Sequence, residues 1–331
     1  MRPIMTTRSN FLRGLTRIAL TTSLFSSFGL GSLAAHAQVL QQPIKINVMP
    51  FLDAGPLLLA DKNGIFKKHG LEATISVASS GATVVPTVLS GQFDVGYANA
   101  ISSLQAIDNG LPLQLVHATY SHPSDPSKDP YRIWVKKDGK FTDPKQLADA
   151  NIGTLSVKNI AEWSTLKSLE NLGIEDLSKV RWTKVNGEDA YDAVKNGQID
   201  AVWLYEPLGA AAKQAGLVPL LSANSGSIPG AVSGYYNTSR NFAQKNPDVL
   251  KRFNAALDEA NLYASQHTDE VRAAVIEKFN FNPELVNAAD LNLYTNDLAA
   301  DKLRIIGDDL VRYKLIRQAP DLDSVFWKPS N

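Results

Sequence analysis

Two segments of this chain space the same groups in the same way: "LSGQFDVGYANA" at Leu89–Ala100 and "VKNGQIDAVWLYEP" at Val194–Pro207. Each runs Gly-Gln, an apolar residue, Asp, and then an apolar stretch ending in polar or aromatic side chains. A repeated carboxylate invites a reading as acid–base machinery, yet punctuation accounts for it more simply. Glycine supplies the positive φ that ends a helix, and Asp suits the turn that follows. Asp94 and Asp200 are therefore read as turn residues. The groups able to meet a ligand come where each strand ends, at Tyr97-Ala98-Asn99 and at Tyr205-Glu206-Pro207. In open parallel α/β sheets, ligands bind in the crevice beyond the carboxyl ends of the strands.

Three further groups fit such a crevice. Ser80, Gly81 and Thr83 lie at one strand-to-helix turn, and Ser156 and Asn159 at another. Helix N-termini present unpaired N–H groups and a partial positive charge, a seat for an anionic head group. Ser80 serves equally well as a helix cap. Lys158 is a nearby cation or, as plainly, a solvated lysine. Phe51 and Asp53 follow the first strand. If Asp53 and Glu206 both face the cleft they repel an anion and attract an amine, which suits a zwitterion. Glu206 can equally bond a hinge N–H. Tyr97, Trp163, Tyr205 and Tyr235 are cleft lining or core, and buried aromatics are more often core. His117 is read as structural. Of five histidines none pairs at metal-ligand spacing, and cysteine is absent, which removes thiol nucleophiles and thiolate metal sites. No cofactor or metal is expected.

These groups need a frame. Period-two, β-branched runs at Ile44–Val48 and Leu71–Val77 read as strands, with a helix from about Pro56 between them. Strands at Phe93–Tyr97 and Leu113–Ala118 alternate with helices, the arrangement of parallel β-α-β units. "YSHPSDPSKDP" (Tyr120–Pro130) holds three prolines and no periodicity, as expected of a passage between lobes. The alternation then resumes from Tyr131 to Leu221. There Asn159 and Glu162 predict a capping box for a helix that Gly173 ends. "NSGSIPGAVSGYYNTS" reads as a second passage, and the rest is helical. Leu250, Phe253, Leu257 and Leu262 are expected on one face of a helix over 249–266.

The ends and composition bound the class. Arg2, Arg8, Arg13 and Arg17, an apolar run to Leu33 and the Ala35-His36-Ala37 site have the layout of a signal peptide cut after Ala37. The leader holds four of 33 basic residues and no acidic one, leaving 29 against 33, or −4. That balance argues against a nucleic-acid or anionic-membrane partner. An exported chain without cysteine must be held by its core, and its length suggests two lobes. The expected division is a leader over 1–37, a first lobe over 38–124 and 233–331, and a second over 125–232.

The whole mature chain resembles periplasmic solute-binding proteins of ABC importers in the sulfonate, taurine and nitrate group. The likeness is carried, in order, by "PLLLADKNGIFKKHGLE", "SGATVVPTVLSGQFDVGYANA", "LADANIGTLSVKNIAEWSTLKSLENLGI", "VKNGQIDAVWLYEP" and a late "YYN". It implies a two-lobed α/β periplasmic-binding-protein fold of type II-like form. Each lobe would be a mainly parallel sheet flanked by helices, with a helical C-terminal tail on the first lobe. It further implies a freely diffusing periplasmic monomer that closes on a small organic anion or zwitterion, such as an aliphatic sulfonate or taurine. An inner-membrane permease and its ATPase would receive the cargo. The group also contains binders of thiamine-pyrimidine precursors and aromatic acids, and its members carry Trp-Glu-Pro where this chain has Tyr205. Pyrimidine-precursor synthases and desulfinases share the fold, but their usual cysteines are absent here. Binding is expected rather than catalysis, with a non-cysteine enzyme on the same fold as the alternative.

Overall fold

A computed structural model describes residues 41–78 and 81–329. The expected leader, together with Ser79 and Ser80, lies outside the described residues. The chain opens with β1 (Gln42–Val48), a short turn at Leu52–Ala54, α1 (Gly55–Lys62) and α2 (Ile65–Lys68). There follow β2 (Leu71–Val77), α3 (Gly81–Leu89), β3 (Val95–Asn99), α4 (Ala100–Asp108) and β4 (Leu113–Ser121). The next stretch holds β5 (Tyr131–Lys136), β6 (Asn151–Thr154), α5 (Ile160–Asn171), β7 (Arg181–Lys184) and α6 (Asp189–Lys195). It continues through β8 (Ala201–Tyr205), α7 (Leu208–Gln214), β9 (Leu217–Ser222) and α8 (Ala223–Ser227). Then come β10 (Val232–Ser239), α9 (Arg240–Lys245), α10 (Pro247–Gln266), α11 (Thr268–Phe279) and α12 (Pro283–Ala288). The chain closes with β11 (Leu293–Tyr294), α13 (Ala300–Arg312) and α14 (Leu322–Val325). No described helix is long and apolar enough to cross a membrane.

The strands form two sheets, ordered β11-β4-β10-β3-β1-β2 and β7-β6-β8-β5-β9. Both are mixed, with most strands running one way: β10 and β11 are reversed in the first and β5 in the second. β1, β2 and β3 run parallel, as do β6, β7 and β8. β10 runs against β3 and β4, and β5 against β8 and β9. β5 and β10 are each the first strand laid down after the chain passes from the other sheet, so each enters from the end where its new neighbours finish.

The repeated phrase does the same work twice. Gly91 and Gly197 have φ of 76° and 73°, the left-handed turn that ends α3 and α6. Asp94 then exchanges two bonds with Lys45 of β1: its carboxylate accepts the Lys45 N–H at 2.8 Å, and its own N–H reaches the Lys45 carbonyl at 2.9 Å. Asp200 repeats both bonds with Asn151 of β6, again at 2.8 and 2.9 Å. A carboxylate at this point fixes the register of the incoming parallel strand before its ladder begins.

β10 lies inside a segment read from sequence as a passage, and it is buried along its full length. Its polar residues are compatible with burial because they find partners. Ser233 Oγ lies 2.8 Å from His122 Nε2, Thr238 donates to the Asp94 carbonyl at 2.7 Å, and Asn237 donates to the Tyr235 carbonyl at 2.8 Å. Gly234 is required by close approach, since a Cβ there would lie 2.3 Å from Thr119 Oγ1. α10 buries Leu250, Phe253 and Leu257 in one apolar cluster with α1 and α2, but Leu262 is 63% exposed, one residue past the buried pair Ala260 and Asn261. α3 begins at Gly81 and accommodates Pro86 in its interior. The capping box also differs: Asn159 accepts from the Ile160 N–H, whereas the Glu162 carboxylate reaches back one residue further, to the Lys158 N–H.

A cleft built from strand ends

Side chains that follow β1 and β3 touch side chains of the second sheet. From the first sheet come Phe51 and Asp53, after β1, and Asn99, which ends β3. From the second come Ser156 and Asn159, after β6, and Tyr205 and Glu206, at the end of β8. The Phe51 and Tyr205 rings meet edge to face with centroids 4.7 Å apart, and Tyr97 lies 6.2 Å from Phe51. Asn159 donates to Ser102 Oγ at 3.0 Å, and Gln105 of α4 donates to the Lys158 carbonyl at 2.8 Å.

Asp53 sits beneath the rings. Its carboxylate accepts the Tyr97 hydroxyl at 2.5 Å, the Tyr131 hydroxyl at 3.0 Å and the side-chain amide of Asn292. Burial pushes its pKa up to about 6, against the pull of these three donors. Two sheets and the C-terminal segment therefore share one buried acid. The bonds occupy Asp53 internally, so a ligand amine reaches it only by displacing a phenol or the Asn292 amide.

Glu206 is similarly engaged. Its carboxylate accepts the Ala210 N–H at 3.0 Å and lies 3.8 Å from Arg132, whose guanidinium bonds Asp290 at 2.8 Å. Burial raises the Glu206 pKa to about 7. Of its two readings from sequence, the structure shows a bond to backbone at the start of α7. The Glu206-Pro207 peptide is cis.

The remaining candidates divide. Asn99 caps α4 by accepting the Ser102 N–H at 3.0 Å, and Asn159 caps α5 while bonding across to Ser102. Gly81 opens α3, Thr83 lies in its first turn half-buried, and Ser156 is exposed. Tyr235 is a correction: it is fully buried, donates to the Leu298 carbonyl at 2.8 Å and packs against Phe326, so it belongs to the core. Trp163 is likewise core, its indole N–H directed at Asp309 at 3.3 Å. His117 is held between the Ala118 carbonyl and Asp258. Lys158 is exposed with φ of 55°. The residues that sequence reasoning missed are Tyr131, Asn292, Ser102 and Gln105. Only Tyr131, the first residue after the proline-rich passage, had a signal that pointed to it. No group of acidic or histidine side chains suited to a metal ion occurs among the described residues.

Two lobes of mixed sheet, joined by two chain passages and meeting at their strand ends, define the solute-binding-protein fold. The periplasmic aliphatic sulphonate-binding protein SsuA from Escherichia coli has the same fold, with a TM-score of 0.71 at 17% identity over 87% of this chain and 93% of that one. So does the periplasmic nitrate-binding protein NrtA from Synechocystis PCC 6803, with a TM-score of 0.68 at 14% identity over 86% of this chain and 85% of that one. By sequence the chain is 25% identical to the 4-amino-5-hydroxymethyl-2-methylpyrimidine phosphate synthase THI5 of Saccharomyces cerevisiae, over 72% of this chain and 70% of the yeast protein. The chain belongs to the NMT1/THI5-like family, whose model matches residues 52–271.

Proposed function

We propose that this protein is the exported solute-binding component of an ABC importer, closing its lobes on a small organic anion or zwitterion and delivering it to a membrane permease and ATPase. The observation that carries this reading is the contact of side chains from both sheets across one set of strand ends, Phe51 on Tyr205 and Asn159 on Ser102. The fold it shares with sulphonate- and nitrate-binding proteins supports the same role. An aliphatic sulfonate or taurine is the first ligand class to test: the N-terminus of α3 suits an acid, and the Asn159 side chain at the start of α5 supplies an amide. A planar ligand is the second, favoured by the aromatic walls and by the likeness to the pyrimidine phosphate synthase. Binding is preferred to catalysis because Asp53 and Glu206, the buried acids of the cleft, are each engaged by fixed donors.

A thermal-shift series on the purified protein, with alkanesulfonates, taurine, nitrate, aromatic acids and pyrimidine precursors, tests the proposal. A bound ligand raises the melting temperature with concentration, by about 2.7 kcal/mol of stability at a hundred times its Kd. Absence of a shift with every compound, together with turnover of one of them, would reject transport in favour of an enzyme.

A further inference from the structure

The C-terminal tail touches both lobes. It leaves the first at Leu298, whose carbonyl accepts the Tyr235 hydroxyl, and returns there at Leu315 to Trp327. On the return Arg317 bonds Asp108 of α4 at 3.1 Å, Gln105 reaches the Leu315 carbonyl, and the Trp327 N–H reaches the Leu115 carbonyl at 2.8 Å. Between these anchors α13 lies against α4 and β10 of the first lobe and against α5 of the second. Leu303, Ile306 and Leu310 share one apolar cluster with Ile101 and Leu104 of α4 and with Trp163 and Leu169 of α5.

The polar contacts at that seat are concentrated on one carboxylate. Glu170 of α5 pairs with Arg312 through both oxygens, with Lys167 at 2.9 Å and with the Tyr313 hydroxyl at 3.1 Å. Buried Asp309 is bonded by Arg312 and by the Trp163 indole. Burial alone would raise the Glu170 carboxyl, but the bonds from Arg312, Lys167 and Tyr313 outweigh it and hold the pKa at about 2. α5 is also the helix whose N-terminus forms a cleft wall, through Asn159.

We propose that α13 is a strap across the lobes: fixed to the first lobe at both ends and to α5 by the Glu170 cluster, it restrains the separation of the lobes. Opening then requires either release of Glu170 from Arg312 and Tyr313, or loss of the Arg317 and Gln105 anchors. The strap acts whether or not a ligand is present, so its test is independent of the transport reading.

The chain has no cysteine, so a labelled pair introduced at exposed Glu72→Cys and Lys137→Cys reports the distance between lobes without background. The measurement is a spin-label distance distribution on the ligand-free protein. In Glu170→Gln and Arg312→Gln backgrounds the distribution should gain a longer component that is absent from the parent. An unchanged distribution overturns the proposal, even if the melting temperature falls, since a packing role alone lowers stability without moving the lobes. Tyr313→Phe, which removes one hydroxyl, provides the same reading if the charge variants do not fold. It should lengthen the distribution to a smaller extent, and no change there also overturns the strap.

Discussion

The hydroxyl of Tyr131, at the start of the second sheet, donates to the buried carboxylate of Asp53, in the first, at 3.0 Å. This bond ties the floor of the cleft to both lobes. A hydrogen bond to a charged group contributes about 1.5–3 kcal/mol. Tyr131→Phe keeps the ring, which stacks on Tyr120 with centroids 5.5 Å apart, and removes only the donor. Stability should fall by about 2 kcal/mol in urea unfolding, with the slope of the transition unchanged. A loss below about 0.5 kcal/mol would mean that Tyr97 and Asn292 satisfy Asp53 without it.

The pH dependence of stability follows from three buried groups. Asp53 and Glu206 have folded pKa values raised by burial to about 6 and about 7, so the folded state holds their protons more tightly than the unfolded chain does. Their favourable contribution is complete below about pH 4 and is lost as pH rises through the folded values, about 3 kcal/mol each at most. His122 acts in the other direction. Burial lowers its pKa to about 4, so its contribution is complete above its ordinary value and lost as pH falls toward 4. The melting temperature should therefore rise as pH falls from about 8, and rise less steeply below about pH 6.5, where His122 offsets part of the gain from the two acids. Glu206→Gln should remove much of the alkaline limb; a limb that survives in both Glu206→Gln and Asp53→Asn would contradict this assignment.

Much of the frame was legible because it is local. Gly91 and Gly197 end helices, Asp94 and Asp200 start strands, and both decisions are made within a few residues of sequence. What was hidden depends on distant partners. The buried strand β10 reads as a passage because Ser233, Asn237 and Thr238 look solvent-facing until His122 and the Asp94 carbonyl are placed beside them. Asp53 could be seen as a cleft acid, but its hydrogen-bond donors come from residues 97, 131 and 292, and no periodicity links them. Tyr235 shows the same limit from the other side: an aromatic beside a polar run fits a core as well as a cleft, and only Leu298 and Phe326 decide it.

Gly234 should not tolerate a side chain. A Cβ there would meet Thr119 Oγ1 at 2.3 Å, Tyr120 Cε1 at 2.7 Å and Tyr97 Cε2 at 3.0 Å, and none of these is the free end of a flexible chain. Overpacking of this kind costs about 1–3 kcal/mol. Gly234→Ala should lower stability within that range in chemical denaturation. Because Tyr97 is one of the groups displaced, it should also disturb the Asp53 cluster. A neutral substitution would show that the strand can shift.

The division between cleft and core residues can be tested with one pair of variants. Phe51 faces Tyr205 across the lobes, so Phe51→Ala removes a ring from the place where the proposed ligand would be enclosed. Tyr235→Phe removes a buried hydroxyl bonded to the Leu298 carbonyl. Measured with whichever compound gives a thermal shift in the ligand series, Phe51→Ala should weaken binding about tenfold or more, equivalent to about 1.4 kcal/mol. Tyr235→Phe should lower the ligand-free melting temperature, by about 1 kcal/mol in stability, and leave the ligand-induced shift intact. The reverse pattern, with binding lost in Tyr235→Phe and kept in Phe51→Ala, would move the site away from the strand ends. It would place the site beside β10 instead, where Tyr235 meets the start of the strap.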